Sequence, residues 1–245
     1  NSSFYGCLSL QKVTIPSSVR HIGHNAFRQC SGMKEIEIDP YITNFEDNTF
    51  AECKSLDHLV FGSSVKMIKE SNFERFGLLK KITIPSSVIS IENYSFNNLL
   101  TLEKVTILPS SYVIPKNAFN GCSNVKEISI NPYKTRFESD NFSEFPLLNH
   151  LIIDSTVTSF KNINLFKNLS EITIPSSLKK IDNNAFEGCS SLKNIIIPSS
   201  VTSIGNNSFS SCSSLEEMTI PSSVTQIGND SFSNCSSLSV VTISS

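Results

Sequence analysis

Hydrophobic and polar positions recur in the same order every 23 residues along most of the chain. The stretch from Leu192 to Ser214 reads LKNIIIPSSVTSIGNNSFSSCSS, and the next 23 residues, from Leu215, read LEEMTIPSSVTQIGNDSFSNCSS. Repetition at a fixed period of roughly 20 to 50 residues is the signature of a solenoid, in which stacked units bury one continuous core. The pattern therefore predicts a repeat architecture.

The consensus unit, L-x-x-I-x-I-P-S-S-V-x-x-I-G-x-N-S-F-x-x-C-x-S, predicts one short strand followed by a turn. Its opening segment alternates and is rich in β-branched residues, which is typical of a strand, and the Pro and two Ser end it. Asn or Asp at the sixteenth position can cap a single helical turn. That turn would carry the Phe of the eighteenth and the Cys of the twenty-first position into the core.

The period divides the chain into about ten units with a partial unit at each end. Full units begin at Leu10, Met33, Leu56, Leu79, Leu102, Val125, Leu148, Leu169, Leu192 and Leu215, and a last strand begins at Leu238. The pattern predicts a single solenoid domain over residues 1–245. Because both ends fall within a unit, we expect the chain to be part of a longer protein. Uncapped ends would permit end-to-end association, and the oligomeric state stays open.

The unit at Leu148 is two residues shorter than the others. Aligning it backward from Leu169 places Ile163 in the Phe position and Phe166 in the Cys position. A longer period is visible as well, because KEIEIDPYITNFE from Lys34 matches KEISINPYKTRFE from Lys126, four units later. A block of four units therefore shows the pattern of a duplication.

Phenylalanine and cysteine mark the predicted core. Ten of the 17 phenylalanines fall in the eighteenth position and should stack in a continuous row. All seven cysteines occupy the twenty-first position, where other units have Phe or Leu, which indicates a buried apolar site for a reduced thiol. Stacked neighbours would lie roughly 5 Å apart, so the distance also permits disulfides.

Runs such as IPSSVTSIGNNSFSSCSSL, from Ile197 to Leu215, resemble the BspA-like class of leucine-rich repeat, and the resemblance covers essentially the whole chain. It implies an α/β solenoid, a right-handed leucine-rich repeat superhelix. The parallel β-sheet would line its concave side, with short helical turns and loops on the convex side. It also implies a family found largely on microbial and protozoan cell surfaces, often in adhesion to host molecules.

The candidate binding site is the outer face of the predicted strands. Alternation along a strand directs the third and fifth positions away from the core, and solenoids commonly bind partners on such an extended concave surface. Eleven strands at about 4.8 Å make a face about 50 Å long, which suits a protein or extended polymer better than a small molecule. The candidate partner-binding residues are Lys12, Glu35, Glu37, Asp39, His58, Val60, Lys81, Lys104, Glu127, Ser129, His150, Ile152 and Glu171.

Charge on this face is uneven. Glu35, Glu37 and Asp39 form a local acidic stripe in the sequence pattern, and Lys81 and Lys104 follow two to three strands later. One hypothesis is complementary charge on a partner. The alternative is that these are ordinary solvated side chains of a strand face.

Composition and motifs exclude several other classes. The 39% hydrophobic and 17% charged residues are those of a folded protein, and the formal net charge of -2 provides no basic field for nucleic acid. The sequence has no apolar run of 18 residues for membrane insertion. His58 and His150 lie four units apart, and His21 and His24 lack an evident third ligand. We therefore predict no catalytic, cofactor or metal site.

The sequence favours a non-catalytic recognition module, an adhesin-type domain at the cell surface or secreted, that binds a protein or glycan on its concave face. The alternative is an intracellular, cytoplasmic scaffold or targeting array attached to an effector domain. Sequons of the N-x-S type would fit a glycosylated surface protein, although Asn- and Ser-rich repeats also generate them by chance. They begin at Asn1, Asn93, Asn141, Asn168, Asn206, Asn229 and Asn234.

Overall fold

The structure, a computed structural model, describes residues 1–39, 44–46, 48–69, 78–131, 135–137, 145–160 and 168–244. These residues belong to two compact bodies. The N-terminal body comprises Asn1–Val125 and Lys134–Leu147, and the C-terminal body comprises Lys126–Tyr133 and Leu148–Ser245. The strands of both bodies pair in parallel, with each residue opposite the residue at the same position of the next unit.

The main series of strands begins at the third position of each unit, where the sequence predicts it. Numbered in chain order, its members in the N-terminal body are β1 (Lys12–Thr14), β3 (Glu35–Ile38), β5 (His58–Phe61), β7 (Lys81–Ile84) and β9 (Lys104–Ile107). Its members in the C-terminal body are β11 (Glu127–Ile130), β13 (His150–Ile153), β15 (Glu171–Thr173), β17 (Asn194–Ile195), β19 (Glu217–Ile220) and β21 (Val240–Ile243). An isolated parallel bridge between Ile196 and Thr219 continues the pairing from β17 to β19.

A second series of shorter parallel strands follows the Pro-Ser-Ser turn and was not predicted from the sequence. In the N-terminal body it consists of β2 (His21–Ile22), β4 (Asn44–Phe45), β6 (Met67–Ile68), β8 (Ser90–Ile91), β10 (Tyr112–Ile114) and β12 (Thr135–Phe137). In the C-terminal body it consists of β14 (Ser159–Phe160), β16 (Lys180–Ile181), β18 (Ser203–Ile204) and β20 (Gln226–Ile227). Each unit with both strands thus crosses two parallel ladders.

The predicted short helical turns are not confirmed, because the described residues form turns and no helix. Instead, residues at the sixteenth and twentieth positions adopt left-handed backbone conformations. In the unit that begins at Leu10, for example, φ is 55° at Asn25 and 62° at Gln29. Asn and Asp enter this region more readily than most residues. The frequent Asn at the sixteenth position therefore serves the turn backbone and not a helix cap.

The stacked phenylalanine row is confirmed in three runs within the described residues. Ring centroids lie 4.7 to 5.6 Å apart in Phe4–Phe27–Phe50, Phe96–Phe119 and Phe186–Phe209–Phe232. The rings of each run are within 17° of parallel. The other predicted members of the core row, Phe73, Phe142, Ile163 and Phe166, lie outside the described residues.

The cysteines form no disulfide, and five of the seven are buried as predicted, while Cys7 is exposed and Cys235 is half-buried. Their thiols also make a contact that the sequence did not predict. The Cys212 Sγ donates to the Phe186 carbonyl oxygen at 3.2 Å, and the same contact to the Phe of the preceding unit occurs at four further cysteines. The twenty-first position thus joins consecutive units through a hydrogen bond as well as through packing.

Candidate partner-binding face

In each body, the side chains at the third and fifth positions of the main strands form a surface, here called the strand face of that body. The fourth and sixth positions point inward, and Ile36 and Ile38 are fully buried beside the outward Glu35 and Glu37. Among the predicted site residues, Lys12, Lys81 and Glu171 are exposed. Those that are half-buried are Glu35, Glu37, His58, Val60, Lys104, Glu127, Ser129, His150 and Ile152.

Asp39 does not lie on the strand face. It occupies the seventh position, after β3 has ended, and is only 6% exposed. Its carboxylate accepts a hydrogen bond from the Ser64 hydroxyl at 3.0 Å. Asp39 is therefore a buried, hydrogen-bonded residue of the turn and not an exposed member of an acidic stripe.

The two remaining glutamates of the stripe are compensated by a lysine on the neighbouring strand. Lys12 Nζ lies 2.7 Å from Glu35 Oε1 and 3.5 Å from Glu37 Oε2. His58 Nδ1 lies 3.1 Å from the other Glu35 oxygen. The hydrogen bond from Lys12, above all, holds the pKa of Glu35 below its usual value. The N-terminal part of the face is thus a set of paired charges and not a free acidic surface.

Each body carries the same chain of side-chain contacts, running from Glu through His to Thr across three strands. In the N-terminal body, His58 Nε2 lies 2.9 Å from Thr83 Oγ1, completing the chain that begins at Glu35. In the C-terminal body the distances are 3.3 Å from Glu127 Oε2 to His150 Nδ1 and 2.9 Å from His150 Nε2 to Thr173 Oγ1. The correspondence matches the four-unit period of the sequence.

This order of groups occurs in hydrolytic triads, where an oxyanion hole must also stabilise the developing negative charge. Here the threonines lie within parallel strands, whose backbone amides pair in the sheet. Thr83 is opposite Val60 and Thr106 of the neighbouring strands, and Thr173 is opposite Ile152. The contacts with glutamate and threonine fix the position of each histidine ring on the strand face.

A second histidine cluster lies where the second strands end. His21 Nε2 and His24 Nε2 lie 2.8 and 3.1 Å from the two carboxylate oxygens of Glu46. Glu46 also accepts a hydrogen bond from the His24 backbone N–H at 3.0 Å. Glu46 was not predicted from the sequence, because it belongs to the next unit and only the stacking of the units brings it to the histidines. Among the described residues, no group of three or more His, Cys, Asp and Glu is arranged to hold a metal ion.

The strand face of the C-terminal body exposes two further residues at positions that the strand alternation directs outward. Ile196, at a fifth position, is 83% exposed, and Glu217, at a third position, is also exposed. They lie beside Glu171 and Asn194, because residues at the same position are opposite one another in successive strands. An isoleucine at an outward strand position was the sequence signal for this site.

The turn residues explain why the repeat generates sequons. The Asn206 side-chain oxygen accepts a hydrogen bond from the Asn229 backbone N–H at 2.8 Å, Asn207 has φ of 52°, and the buried Ser208 hydroxyl donates to the Gly205 carbonyl. Each residue of this Asn-Asn-Ser sequon thus meets a structural requirement. The sequon at Asn141 lies outside the described residues.

Two parallel strand ladders around a stacked apolar core define a parallel β-solenoid of the leucine-rich repeat fold. Comparison with family models gives a match described as BspA type Leucine rich repeat region, over residues 1–122, 43–170 and 164–245. These matches cover the whole chain. The protein therefore belongs to the BspA type leucine-rich repeat family.

Solved structures give matches over most of the chain. A leucine-rich repeat protein from Bacteroides ovatus ATCC 8483 is 26% identical, with 98% of this chain and 80% of that chain covered and a TM-score of 0.40. A leucine rich cell surface protein from Faecalibacterium prausnitzii A2-165 is 24% identical, with 100% and 76% covered and a TM-score of 0.33. The T. pallidum Leucine Rich Repeat protein is 23% identical, with 71% and 62% covered and a TM-score of 0.32.

A search of curated proteins gives no match. Across the described part of the chain, no helix has the length and apolar character needed to cross a membrane.

Proposed function

We propose that the protein is a non-catalytic recognition module that binds a protein partner along the strand face. The observation that carries this proposal is the in-register row of outward side chains on successive parallel strands. Successive strands lie about 4.8 Å apart, so the side chains form a dense, regular surface. Such a surface supports an extended contact with a macromolecule better than the enclosure of a small molecule.

A protein partner fits the chemistry of this surface better than a glycan. Between the charged residues the face carries the aliphatic side chains of Val60, Ile152 and Ile196, and protein interfaces combine apolar contact with a polar surround. No third or fifth position of the described main strands holds Phe, Tyr or Trp, whose larger rings offer a sugar ring a stacking surface. A glycan would have to be bound by hydrogen bonds alone, and in the N-terminal body Lys12, Glu35 and His58 already pair with one another.

The proposed setting is the cell surface or the extracellular space, with an adhesin-type role, and it is supported by the family's usual location.

A second candidate, an intracellular scaffold or targeting array, is favoured by a specific observation. None of the seven cysteines forms a disulfide, a state typical of reducing compartments. Labelling intact producing cells with a membrane-impermeant biotin reagent separates the two. We expect a labelled protein, and labelling only after lysis would favour the scaffold.

The binding face is tested by photo-crosslinking in producing cells. A photoreactive amino acid replaces Val60 or Ile152 on the strand face, and Val113, which is 49% exposed on β10, serves as the matched control. We expect partner adducts from the strand-face positions and none from position 113. Adding Glu35→Lys and Glu37→Lys should abolish the adduct at position 60. Equal adducts from all three positions would count against the proposal.

A further inference from the structure

The strand face of the C-terminal body differs from that of the N-terminal body in its charge compensation. In the N-terminal body, Lys12 pairs with Glu35 and Glu37. In the C-terminal body, the third and fifth positions hold three glutamates and no lysine or arginine. The third positions are Glu127, His150, Glu171, Asn194, Glu217 and Val240, and the fifth are Ser129, Ile152, Thr173, Ile196, Thr219 and Thr242.

The carboxylates that follow His150 in the main strands of this body are exposed to solvent. The Glu171 side chain is 67% exposed and lies 3.9 Å from His150 Nε2, at the limit of an ion pair. Glu216 and Glu217 are both exposed, and in the described part of the chain no ion pair joins either of them to a cation. Lys193 precedes Asn194 at a second position and, over the same residues, also forms no ion pair.

An apolar side chain lies among these carboxylates. Ile196 is 83% exposed, the largest exposed fraction among the large hydrophobic residues described. It is opposite Thr219, and its strand neighbour Asn194 is opposite Glu171. Asn194 therefore lies between Glu171 and Glu217 at the third position, and Ile196 follows two residues farther along the chain, beside Thr219. These two glutamates belong to units two strand spacings apart, or about 10 Å.

We propose that Glu171, Asn194, Ile196, Glu216 and Glu217, together called the acidic patch, bind a basic segment of a protein partner. The segment would present two lysine or arginine side chains about 10 Å apart and an apolar side chain beside them. Each cation meets an exposed carboxylate that has no lysine to displace, and the apolar side chain covers Ile196. The inference rests on the proposed function, that the strand face binds proteins, and adds the chemistry of the partner.

The opposite charge pattern is disfavoured by the same geometry. An acidic segment, a nucleic acid or an anionic lipid surface would bring negative charge against the glutamates with no cation at the third or fifth positions to offset it. The ionic part of the contact should weaken with salt, because the screening length falls from about 10 Å at 0.1 M to about 3 Å at 1 M. The contact with Ile196 should persist at higher salt.

Selection of random twelve-residue peptides displayed on phage, with the whole chain immobilised in low salt, tests the inference. We expect the enriched peptides to contain at least two basic residues and an apolar residue near them. Their synthetic forms are then titrated by fluorescence anisotropy. The double variant Glu171→Lys, Glu217→Lys should weaken binding about tenfold or more, and Ile196→Ser should also weaken it. Lys193→Glu should strengthen it, which a loss of folding could not do.

The N-terminal body offers the matched control. Glu52→Lys with Glu92→Lys changes two exposed glutamates that lie off the strand face and should leave the affinity for the basic peptides unchanged. Acidic or neutral peptides, no enrichment, or affinities insensitive to the acidic-patch variants would overturn the inference. Peptides that lose affinity only in Lys81→Glu with Lys104→Glu would overturn it too, while leaving the proposed function standing. Failure of photo-crosslinking at Val60 and Ile152 would instead remove the proposed function.

Discussion

Left-handed residues in each turn account for the polar consensus of the repeat. Apart from Asn117, the sixteenth position has φ between 52° and 60° in the units where it is described, at Ser2, Asn25, Asn48, Tyr94, Asn184, Asn207 and Asp230. For most L-residues this conformation costs roughly 1 to 2 kcal/mol, because Cβ approaches the following carbonyl oxygen. Asn and Asp reduce that cost through local hydrogen bonds, and Gly removes it. Asparagine is therefore favoured there by the backbone.

Asn207→Ala should lower the free energy of unfolding by about 1 kcal/mol, because alanine must hold φ of 52°. Asn207→Gly removes the same side chain without that strain and should lower the free energy less. Urea unfolding followed by circular dichroism measures both. If the alanine and glycine variants were equally destabilised, the side chain and not the backbone conformation would explain the consensus.

Burial of the cysteines makes stability depend on pH in the alkaline range. Burial raises the pKa of the Cys189 thiol to about 12, well above the value of about 8.5 for a free thiol. The neutral thiol is therefore favoured in the folded state, and its stabilising contribution is complete below the unfolded pKa and lost as the pH rises toward 12. Over that window a single such thiol changes the free energy of unfolding by about 1.4 kcal/mol per pH unit.

Urea titrations between pH 8 and pH 10.5 measure this effect. We expect the free energy of unfolding to fall with rising pH, and to fall less steeply in Cys189→Ala. Cys7→Ala is the control, because Cys7 is exposed and its removal should keep the wild-type slope. An unchanged slope in Cys189→Ala would show that its thiol is not buried in the neutral form.

At the scale of the strand, alternation separates residues that hold the fold from residues that are available to a partner. In β3, Ile36 is fully buried, while the half-buried Glu37 lies 3.5 Å from Lys12 Nζ. Ile36→Ala should cost about 2 to 5 kcal/mol, because it leaves a cavity in the stacked core. Glu37→Ala should cost less than about 1 kcal/mol, because a solvent-accessible ion pair contributes little.

Thermal and urea unfolding of the two single variants measure the contrast. Because Glu37→Ala should fold to wild-type levels, this variant can also be used in binding assays as a control for the strand face. Comparable losses of stability in Ile36→Ala and Glu37→Ala would contradict the assignment of Glu37 to the outward side of β3.

The sequence predicts the main strands well, because their period-two pattern and the stacked Phe and Cys positions recur in every unit. It does not predict the second strands, because an element such as His21–Ile22 has two residues and shows no alternation. The sequence does not distinguish a capped helical turn from a left-handed turn, because Asn favours both helix caps and left-handed backbone. Glu46 was missed because its contact with His21 and His24 depends on register between units, and Asp39 was misplaced because the strand ends at Ile38.

Register between units also limits how much of the candidate site can be predicted from the sequence alone. Glu35 and His58 were identified singly, but their contact follows from the pairing of β3 with β5. Compensation of Glu35 by Lys12 likewise requires β1 to pair with β3 in step. Position in the unit therefore predicts which side chains face outward, and only the register shows which charges neutralise each other and which stay available.

At the scale of the whole molecule, we predict that residues 1–245 behave as one array of units coupled through nearest neighbours. In repeat proteins a unit contacts only the units beside it, so a local loss of packing should spread over few units. Ile36→Ala should therefore speed amide hydrogen exchange in β1, β3 and β5, with little change over residues 192–243. Met218→Ala, which truncates a buried side chain of β19, should do the reverse. Hydrogen exchange followed by mass spectrometry at matched pH measures both variants. A uniform loss of protection along the chain in either variant would show that the chain unfolds as a single cooperative unit and would contradict nearest-neighbour coupling.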